Sequence, residues 1–116
     1  MPHIRLETTS DVVENQDLVD ILQRLVDKLA EFDTIGPHSI KGYHALRNTW
    51  IIGEGGPAGF IHCEVAILTG RSPDLKKEIS DGMYAELLDC FHRSHESQEA
   101  GITLELREMD KETYRK

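Results

Sequence analysis

The sequence predicts an α+β domain with α/β-like connections: a four-stranded sheet that carries two helices on one face. Hydrophobic periodicity follows the order strand, helix, strand, and then repeats that order. A shift of 57 residues superimposes the apolar positions of the first half on those of the second. We therefore expect a single domain over residues 1–116, built as a duplicated β-α-β unit with repeats at about 1–56 and 57–116.

The first repeat begins with "HIRLE", where Ile4 and Leu6 alternate with polar residues as in a half-buried strand. A helix is predicted over about residues 15–32, because apolar side chains recur there at helical spacing. These are Leu18, Leu22, Leu25, Val26, Leu29 and Phe32. A second strand is predicted over "IKGYHALRNTWII", in which Gly42 indicates a bulge or a close backbone approach.

The second repeat begins with "FIHCEVAIL", which alternates as a third strand. Ser72 and Pro73 are typical of a helix start, the serine as cap and the proline in the first turn. The predicted helix carries an apolar stripe of Leu75, Ile79, Met83, Leu87 and Phe91. "RSHESQE" reads as a solvated helix end and loop, and "GITLELREM" as the fourth strand.

One face of the predicted sheet has no helix to cover it. Crossover helices imply parallel strands within each repeat, and both helices need the same face to bury their stripes. The other face holds a mixed set: His3, Arg5, Phe60, His62 and Glu64. This set is too polar for the core of a monomer, and its mixture of polar and apolar residues is not typical of a face exposed only to solvent. We therefore expect a partner subunit to cover this face in a homo-oligomer.

Composition narrows the function classes. The formal net charge of −8 disfavours nucleic-acid and anionic-membrane partners, so an anionic substrate needs a local cationic pocket. No long apolar run or leader predicts a membrane span or export, and we expect a cytoplasmic protein. Cys63 and Cys90 lack metal-like spacing and indicate reduced core residues. We expect no metal and no cofactor.

The second residue is the first candidate for chemistry. Methionine is normally trimmed before a small residue, which would leave Pro2 with a free terminal imino nitrogen. An α-amino group titrates near pH 8, and burial beside cations lowers its pKa toward neutrality, where a general base works best. The 57-residue shift places Gly59 at the equivalent position, so one such nitrogen per chain is expected. The alternative is that Pro2 has no role.

Several motifs together resemble a known family. "MPH" leading into a strand, the β-α-β duplication, "NTW" and "FIHCEVAILTGRS" before a helix resemble the 5-carboxymethyl-2-hydroxymuconate isomerase family of the tautomerase superfamily, from Pro2 to about Met109. The resemblance implies a tautomerase-like fold, a homotrimer and a cofactor-independent isomerase. Its substrates would be unsaturated 2-hydroxy di- or tricarboxylic acids from aromatic-acid breakdown, such as 5-carboxymethyl-2-hydroxymuconate.

The resemblance also assigns roles to individual residues. It makes Pro2 the proton-transferring base and Arg71, in the "GRS" turn, a holder of a substrate carboxylate. A family arginine falls on Lys41, which offers a point charge where arginine offers a planar fork. His62 is a further candidate for lining the site. The segment "DKETYRK" is shorter than the family's tail, which predicts a more open pocket.

Each assignment has a structural alternative. Arg71 could bond a turn carbonyl or pair with Asp74, Lys41 could be a solvated edge residue, and His62 could be a satisfied group between strand neighbours. For the whole chain, the alternative to an isomerase is an oligomeric small-molecule-binding protein on the same scaffold, without that activity or with a different specificity.

Overall fold

The computed structural model describes all residues from Met1 to Lys116, and its sheet has the strand order β2-β1-β3-β4. The outer pairs, β1 with β2 and β3 with β4, are parallel, whereas β1 and β3 are antiparallel. This confirms the predicted four-stranded α+β architecture. The strands and helices are β1 His3–Thr9, α1 Leu18–Ala30, β2 Lys41–Arg47, β3 Gly59–Leu68, α2 Pro73–Cys90, α3 His92–Ser97 and β4 Ala100–Met109, with short 3-10 helices at Val13–Asp17 and Pro37–Ser39.

The two β-α-β units meet at the centre of the sheet. β1 and β3 pair so that Leu6 lies opposite Cys63, and these are the two residues that the 57-residue shift equates. When equivalent residues face each other across an antiparallel pair, the pair contains a local two-fold axis. The duplication therefore generates a sheet with pseudo-two-fold symmetry about the Leu6–Cys63 pair.

Both helices pack on one face of this sheet, as predicted. Alternate residues of the central strands are fully buried there, among them Ile4, Leu6, Ile61 and Cys63. The stripe on α2 is also buried at Ile79, Met83, Leu87 and, just beyond the helix, Phe91.

Leu25 and Leu29 of the predicted α1 stripe are fully buried, but the alignment of α1 with α2 differs by one residue from the 57-residue shift. The buried positions of α1 are Ile21, Leu25 and Leu29, which match Ile79, Met83 and Leu87 at an offset of 58 rather than 57. Leu22 and Val26 are only partly buried. An apolar stripe about 100° wide contains adjacent residues as well as those three or four apart, so the sequence alone does not fix which of them points at the sheet.

The second strand is shorter than predicted. β2 ends at Arg47, and "NTWII" belongs to the connection between β2 and β3. The indole N–H of Trp50 donates to the carbonyl oxygen of Ala58 at 3.0 Å, which folds this connection back on itself. Ile51 projects from it and is 95% exposed.

The segment predicted as a helix end and loop is largely the helix α3. Its backbone N–H and hydroxyl at Ser94 donate to the buried carboxylate of Glu14, at 3.0 and 2.5 Å. Orphan N–H groups in the first turn of a helix need such acceptors. Because this acceptor comes from a residue far away in the sequence, local patterns do not reveal it.

Two local predictions are confirmed with their physical causes. The Ser72 hydroxyl accepts the N–H of Leu75 at 3.1 Å, with Pro73 in the first turn, so α2 begins where the capping pattern indicates. At Gly42, a side-chain Cβ would lie 3.2 Å from Val26, and the β1–β2 register is continuous. Gly42 is therefore a close-approach residue beneath α1 and not a bulge.

The sheet face without helices is polar and internally paired. Arg47 and Glu7 form an ion pair at 2.6 Å, and Arg107 lies 3.6 Å from Glu64. No segment of the chain covers this face with a second layer of helices. None of the helices combines the length and apolar character that crossing a bilayer requires.

The burial pattern of α1 predicts a contrast between two substitutions on the same helix. Leu25→Ala removes a fully buried side chain and should lower the free energy of unfolding by about 2–5 kcal/mol. Val19→Ala, at a residue 82% exposed, should change it by less than about 0.5 kcal/mol. Urea denaturation of both variants measures the difference, and equal losses would contradict the packing of α1 described above.

Candidate active site

Pro2 lies immediately before β1 and is buried. Its carbonyl oxygen accepts the backbone N–H of Lys41 at 3.1 Å, which extends the β1–β2 ladder by one bond. Since β1 is a central strand flanked by β2 and β3, the residue preceding it is enclosed by the ends of both neighbours. The fold thus places Pro2 at the sheet edge where β1 and β2 begin and β3 ends.

Arg71 reaches the same edge because β3 runs antiparallel to β1 and ends at Leu68. The guanidinium donates three hydrogen bonds: Nε to Thr34 Oγ1 at 2.9 Å, Nη2 to Thr34 O at 3.0 Å and Nη1 to Leu68 O at 3.0 Å. Arg71 therefore does bond carbonyl oxygens of nearby turns, as one structural alternative stated. It forms no ion pair with Asp74, which was the other. All three acceptors are neutral, and each terminal nitrogen keeps a second N–H. Arg71 is a fixed and uncompensated cation.

Lys41 is brought to Pro2 by the parallel pairing of β1 and β2. It is the first residue of β2, lies opposite His3 in the register and is exposed. It lies on an edge strand, as the solvated-edge alternative requires, but its charge also acts on His3 and on the amino terminus. Lys41 is therefore both an exposed edge-strand residue and a cation beside the amino terminus.

Positive charge surrounds the amino terminus. With Met1 in place, the pKa of its amino group is lowered by burial first, and then by the positive charges of Lys116, Arg71 and Lys41. The chain's ion pairs involve other cations, so Arg71 and Lys41 carry no carboxylate partner. In a chain of net charge −8, these two side chains form a local cationic site.

Two further residues meet beside Pro2, and sequence reasoning missed their role. His3 Nε2 lies 2.9 Å from the hydroxyl of Tyr114, and the two rings meet edge to face with centroids 6.0 Å apart. Burial, the charge of Lys41 and the amino terminus lower the pKa of His3. Tyr114 and Lys116 follow β4 in a segment without hydrophobic periodicity, so no sequence signal indicated where that segment lies.

His62 lies away from this group within the chain. It pairs in the β1–β3 register with Glu7, and its Nδ1 lies 2.7 Å from the Thr103 hydroxyl. It is four residues along β3 from Ala66, which pairs with His3, and this corresponds to about 13 Å of strand. Within one chain the structure thus shows His62 as a satisfied group between strand neighbours.

The pseudo-two-fold axis creates an equivalent position at the opposite end of the sheet, but the chemistry there is different. Gly59 takes the place of Pro2, and any side chain added to it would collide with Thr9 and Asp11. Glu14 takes the place of Arg71 and binds Ser94 much as Arg71 binds Thr34. With neither an amine nor a cation there, each chain presents one candidate site.

Other reactive groups are remote or inert. Burial raises the pKa of the Cys63 thiol to about 12 and that of Cys90 to about 11, so neither thiol is nucleophilic at neutral pH. No cluster of three or more His, Cys, Asp and Glu side chains is placed to hold a metal ion. Three surface cavities, of about 310, 460 and 200 Å³, are all lined by residues away from the amino terminus. A single chain therefore leaves the cationic site open on one side.

Comparison with known proteins identifies the family of the chain. A family model described as 5-carboxymethyl-2-hydroxymuconate isomerase matches residues 2–116, almost the whole chain. No curated protein sequence matches.

Solved structures share the fold along nearly its full length. A 5-carboxymethyl-2-hydroxymuconate isomerase from Deinococcus radiodurans R1 has 25% identity and a TM-score of 0.88, over 99% of this chain and 87% of that one. A 5-carboxymethyl-2-hydroxymuconate delta-isomerase has 14% identity and a TM-score of 0.88, over 100% and 87%. A macrophage migration inhibitory factor-like protein from Entamoeba histolytica has 13% identity and a TM-score of 0.70, over 99% and 94%. The chain belongs to the 5-carboxymethyl-2-hydroxymuconate isomerase family of the tautomerase superfamily, and it is an isomerase.

Proposed function

We propose that this isomerase is a cofactor-independent keto-enol tautomerase of unsaturated 2-hydroxy di- or tricarboxylic acids, with the Pro2 nitrogen as general base. The substrate we propose is 5-carboxymethyl-2-hydroxymuconate, the compound after which the family is described. One observation carries the proposal: the chain's amino terminus adjoins the buried Pro2 and lies near Arg71 and Lys41, two cations that have no carboxylate partner.

The position suits a base that works at neutral pH. Removal of Met1 transfers the terminal nitrogen to Pro2, which is itself buried. Burial and neighbouring cations both disfavour the protonated amine, so its pKa falls below the ordinary value of about 8. A larger share of the nitrogen is then neutral and able to accept a proton.

The proton balance needs no other reagent. The neutral nitrogen takes the enolic hydroxyl proton or an allylic proton, and the electron pair left behind spreads through the conjugated chain as a dienolate. The protonated nitrogen then returns a proton to a distant carbon, which regenerates the free amine. Arg71 and Lys41 hold carboxylates and stabilise the dienolate charge. Arg71 is pre-positioned by its bonds to Thr34 and Leu68, so little reorganisation accompanies that stabilisation.

We also propose a homotrimer whose neighbouring subunits close the open side of the site. The polar sheet face without helices, the projecting side chain of Ile51 and the absence of a cavity at Pro2 all support an additional wall from outside the chain. Two fused 4-OT proteins with this fold, at 14% and 11% identity, are described as trimers. In such an assembly, His62 would contact substrate only in the site of a neighbouring chain.

Pro2→Ala should lower kcat by about 10²-fold or more with a smaller change in KM, because the rigid secondary amine takes part in the chemical step. The assay follows ketonisation of 5-carboxymethyl-2-hydroxymuconate by absorbance. Pro57→Ala, in the exposed connection after β2, is the control and should behave as wild type. The intact mass of wild type should be lower by one methionine; retained or acylated Met1 would rule out the Pro2 base.

Arg71→Ala should raise KM by about 10- to 100-fold, since a charge-assisted hydrogen bond to a carboxylate contributes about 1.5–3 kcal/mol. Arg71→Lys keeps the charge and should recover part of that loss. Arg93→Ala, an exposed arginine on α3, is the matched control. Thermal melting should accompany the kinetics, because Arg71 also ties Thr34 to Leu68. Wild-type KM in a folded Arg71→Ala variant would remove Arg71 from the proposal.

Ile51→Asp should weaken or abolish assembly, because it places a charge where we expect a neighbouring subunit to bury an apolar side chain. Light scattering after size exclusion should give wild type three times the 13.2 kDa chain mass and the variant a smaller mass. Val19→Asp, at another exposed apolar residue on α1, should leave the assembly intact. A monomeric wild type would refute the trimer.

A further inference from the structure

We infer that Thr34 is a positioning residue for Arg71: its hydroxyl and carbonyl oxygens hold one edge of the guanidinium and leave the other edge to receive a substrate carboxylate. This rests on the proposed function, in which Arg71 binds that carboxylate. It extends that function by giving a role to a residue in the connection after α1, to which neither the sequence pattern nor the family resemblance assigned one.

Thr34 has a backbone conformation that threonine rarely adopts. Its φ is 68°, in the left-handed region. A β-branched residue is a true outlier there, because its side chain crowds the backbone. Residues in such conformations persist only where their surroundings hold them, and they cluster at functional sites. The chain's other non-glycine residue with a positive φ is Gln98, which is not branched at Cβ and caps α3.

The turn at Thr34 explains the positive φ but not the choice of threonine. The N–H of Ile35 donates to the carbonyl oxygen of Phe32 at 3.3 Å, so Thr34 is the third residue of a four-residue turn. A positive φ at that position favours glycine or asparagine. Thr34 is exposed, whereas the neighbouring Ile35 belongs to the core. Core packing therefore does not require a threonine here, and its polar atoms are what distinguish it.

Both polar atoms of Thr34 bind the same guanidinium. Oγ1 accepts the N–H of Arg71 Nε at 2.9 Å, and the carbonyl oxygen accepts an N–H of Nη2 at 3.0 Å. These two nitrogens form one edge of the planar group, so a pair of bonds from one residue fixes its orientation as well as its position. The bond from Nη1 to the carbonyl oxygen of Leu68 adds a third fixed point.

The occupied edge determines how a ligand can bind. A guanidinium offers paired N–H groups on two edges, Nε with Nη2 and Nη1 with Nη2. Thr34 occupies the first edge, so only the second can bind a carboxylate in bidentate fashion. Because the guanidinium is already held in the free protein, a ligand does not have to immobilise it. That saving corresponds to about a two- to tenfold gain in affinity.

The opposite end of the sheet contains a similar contact without the strain. Ser94 binds the carboxylate of Glu14 there, but Ser94 is buried and its φ is not positive. That contact is explained by the need to satisfy buried polar groups. The contact between Thr34 and Arg71 is exposed and includes a strained residue, and it is the one located at the candidate site.

The test is a double-mutant cycle with steady-state kinetics on 5-carboxymethyl-2-hydroxymuconate. Thr34→Val keeps the branched shape and removes the hydroxyl, so we expect KM to rise about three- to tenfold while kcat changes by less than about twofold. Thr34→Ser keeps the hydroxyl and should restore KM to within about twofold of wild type. In an Arg71→Ala background, Thr34→Val should have no further effect, because Thr34 acts through the guanidinium.

Two further variants separate positioning from stability. Thr34→Gly lacks the hydroxyl but suits a positive φ, so its KM should rise as in Thr34→Val although its backbone is not strained. Ser94→Ala removes the corresponding contact at the opposite end of the sheet. It should lower the melting temperature and leave KM unchanged. A purely structural Thr34 would behave in the same way as Ser94, and that result would overturn the inference.

Calorimetric binding of cis,cis-muconate distinguishes this inference from the proposed function. This probe has two carboxylates but no 2-hydroxyl group, so it cannot undergo ketonisation. An inactive wild type that binds the probe, with affinity that falls in Arg71→Ala and in Thr34→Val but no further in the double variant, would refute the proposed function and support this inference.

The reverse result has its own signature. An active wild type with a raised KM in Arg71→Ala, but with wild-type KM and probe affinity in Thr34→Val, would refute this inference and leave the function in place. An equal rise in KM on Thr34→Val with and without Arg71 would also refute it, because Thr34 would then act independently. Absence of both activity and Arg71-dependent probe binding would refute both.

Discussion

The antiparallel pairing of β1 with β3 is the constraint on which the site depends. Because Leu6 lies opposite Cys63, the start of β1 is beside the end of β3, so Pro2 and the connection carrying Arg71 share one edge of the sheet. The parallel pairing of β2 with β1 then adds Lys41 at the same edge. A slip of one residue in the central pair would turn the apolar residues of one strand away from the helices, so the core fixes this register and with it the site.

The same pairing produces two related sheet ends, and side-chain chemistry makes only one of them a candidate site. At one end are Pro2 and Arg71; at the other are Gly59 and Glu14, with opposite charge at the latter position. Both charged side chains bond a hydroxyl residue, Thr34 or Ser94, in the segment after the neighbouring helix. The two halves therefore share a similar contact while the charge of the side chain differs. At Glu14 it positions α3, whereas at Arg71 it leaves a cation available to a ligand.

Sequence patterns predicted those structural features that depend on interactions between residues close together in the chain. Alternation identified β1, β3 and β4, and the capping serine fixed the start of α2. The predicted β2 was too long because "NTWII" consists largely of strand-forming residues. In the structure, the hydrogen bond from Trp50 to Ala58 turns this segment away from the sheet. The sequence analysis missed α3 because its partner Glu14 lies far away along the chain, and its alignment of α1 with α2 was off by one residue. The start of the sequence made Pro2 a candidate and the family resemblance added Arg71 and Lys41, whereas nothing in the sequence linked Tyr114 and Lys116 to His3 and the amino terminus.

The cations around the amino terminus act on two groups at once, which couples binding to basicity. At physiological ionic strength, screening reduces charge effects beyond about 8 Å, so the nearby cations outweigh the chain's net charge of −8 at the site. In the free enzyme they add to burial in lowering the pKa of the terminal amino group, which favours its neutral form. Bound carboxylates offset those positive charges and raise that pKa again. If Pro2 is the base, the bound substrate makes the nitrogen more basic at the moment when a proton has to be removed. The nitrogen is then a stronger base in the complex than in the free enzyme.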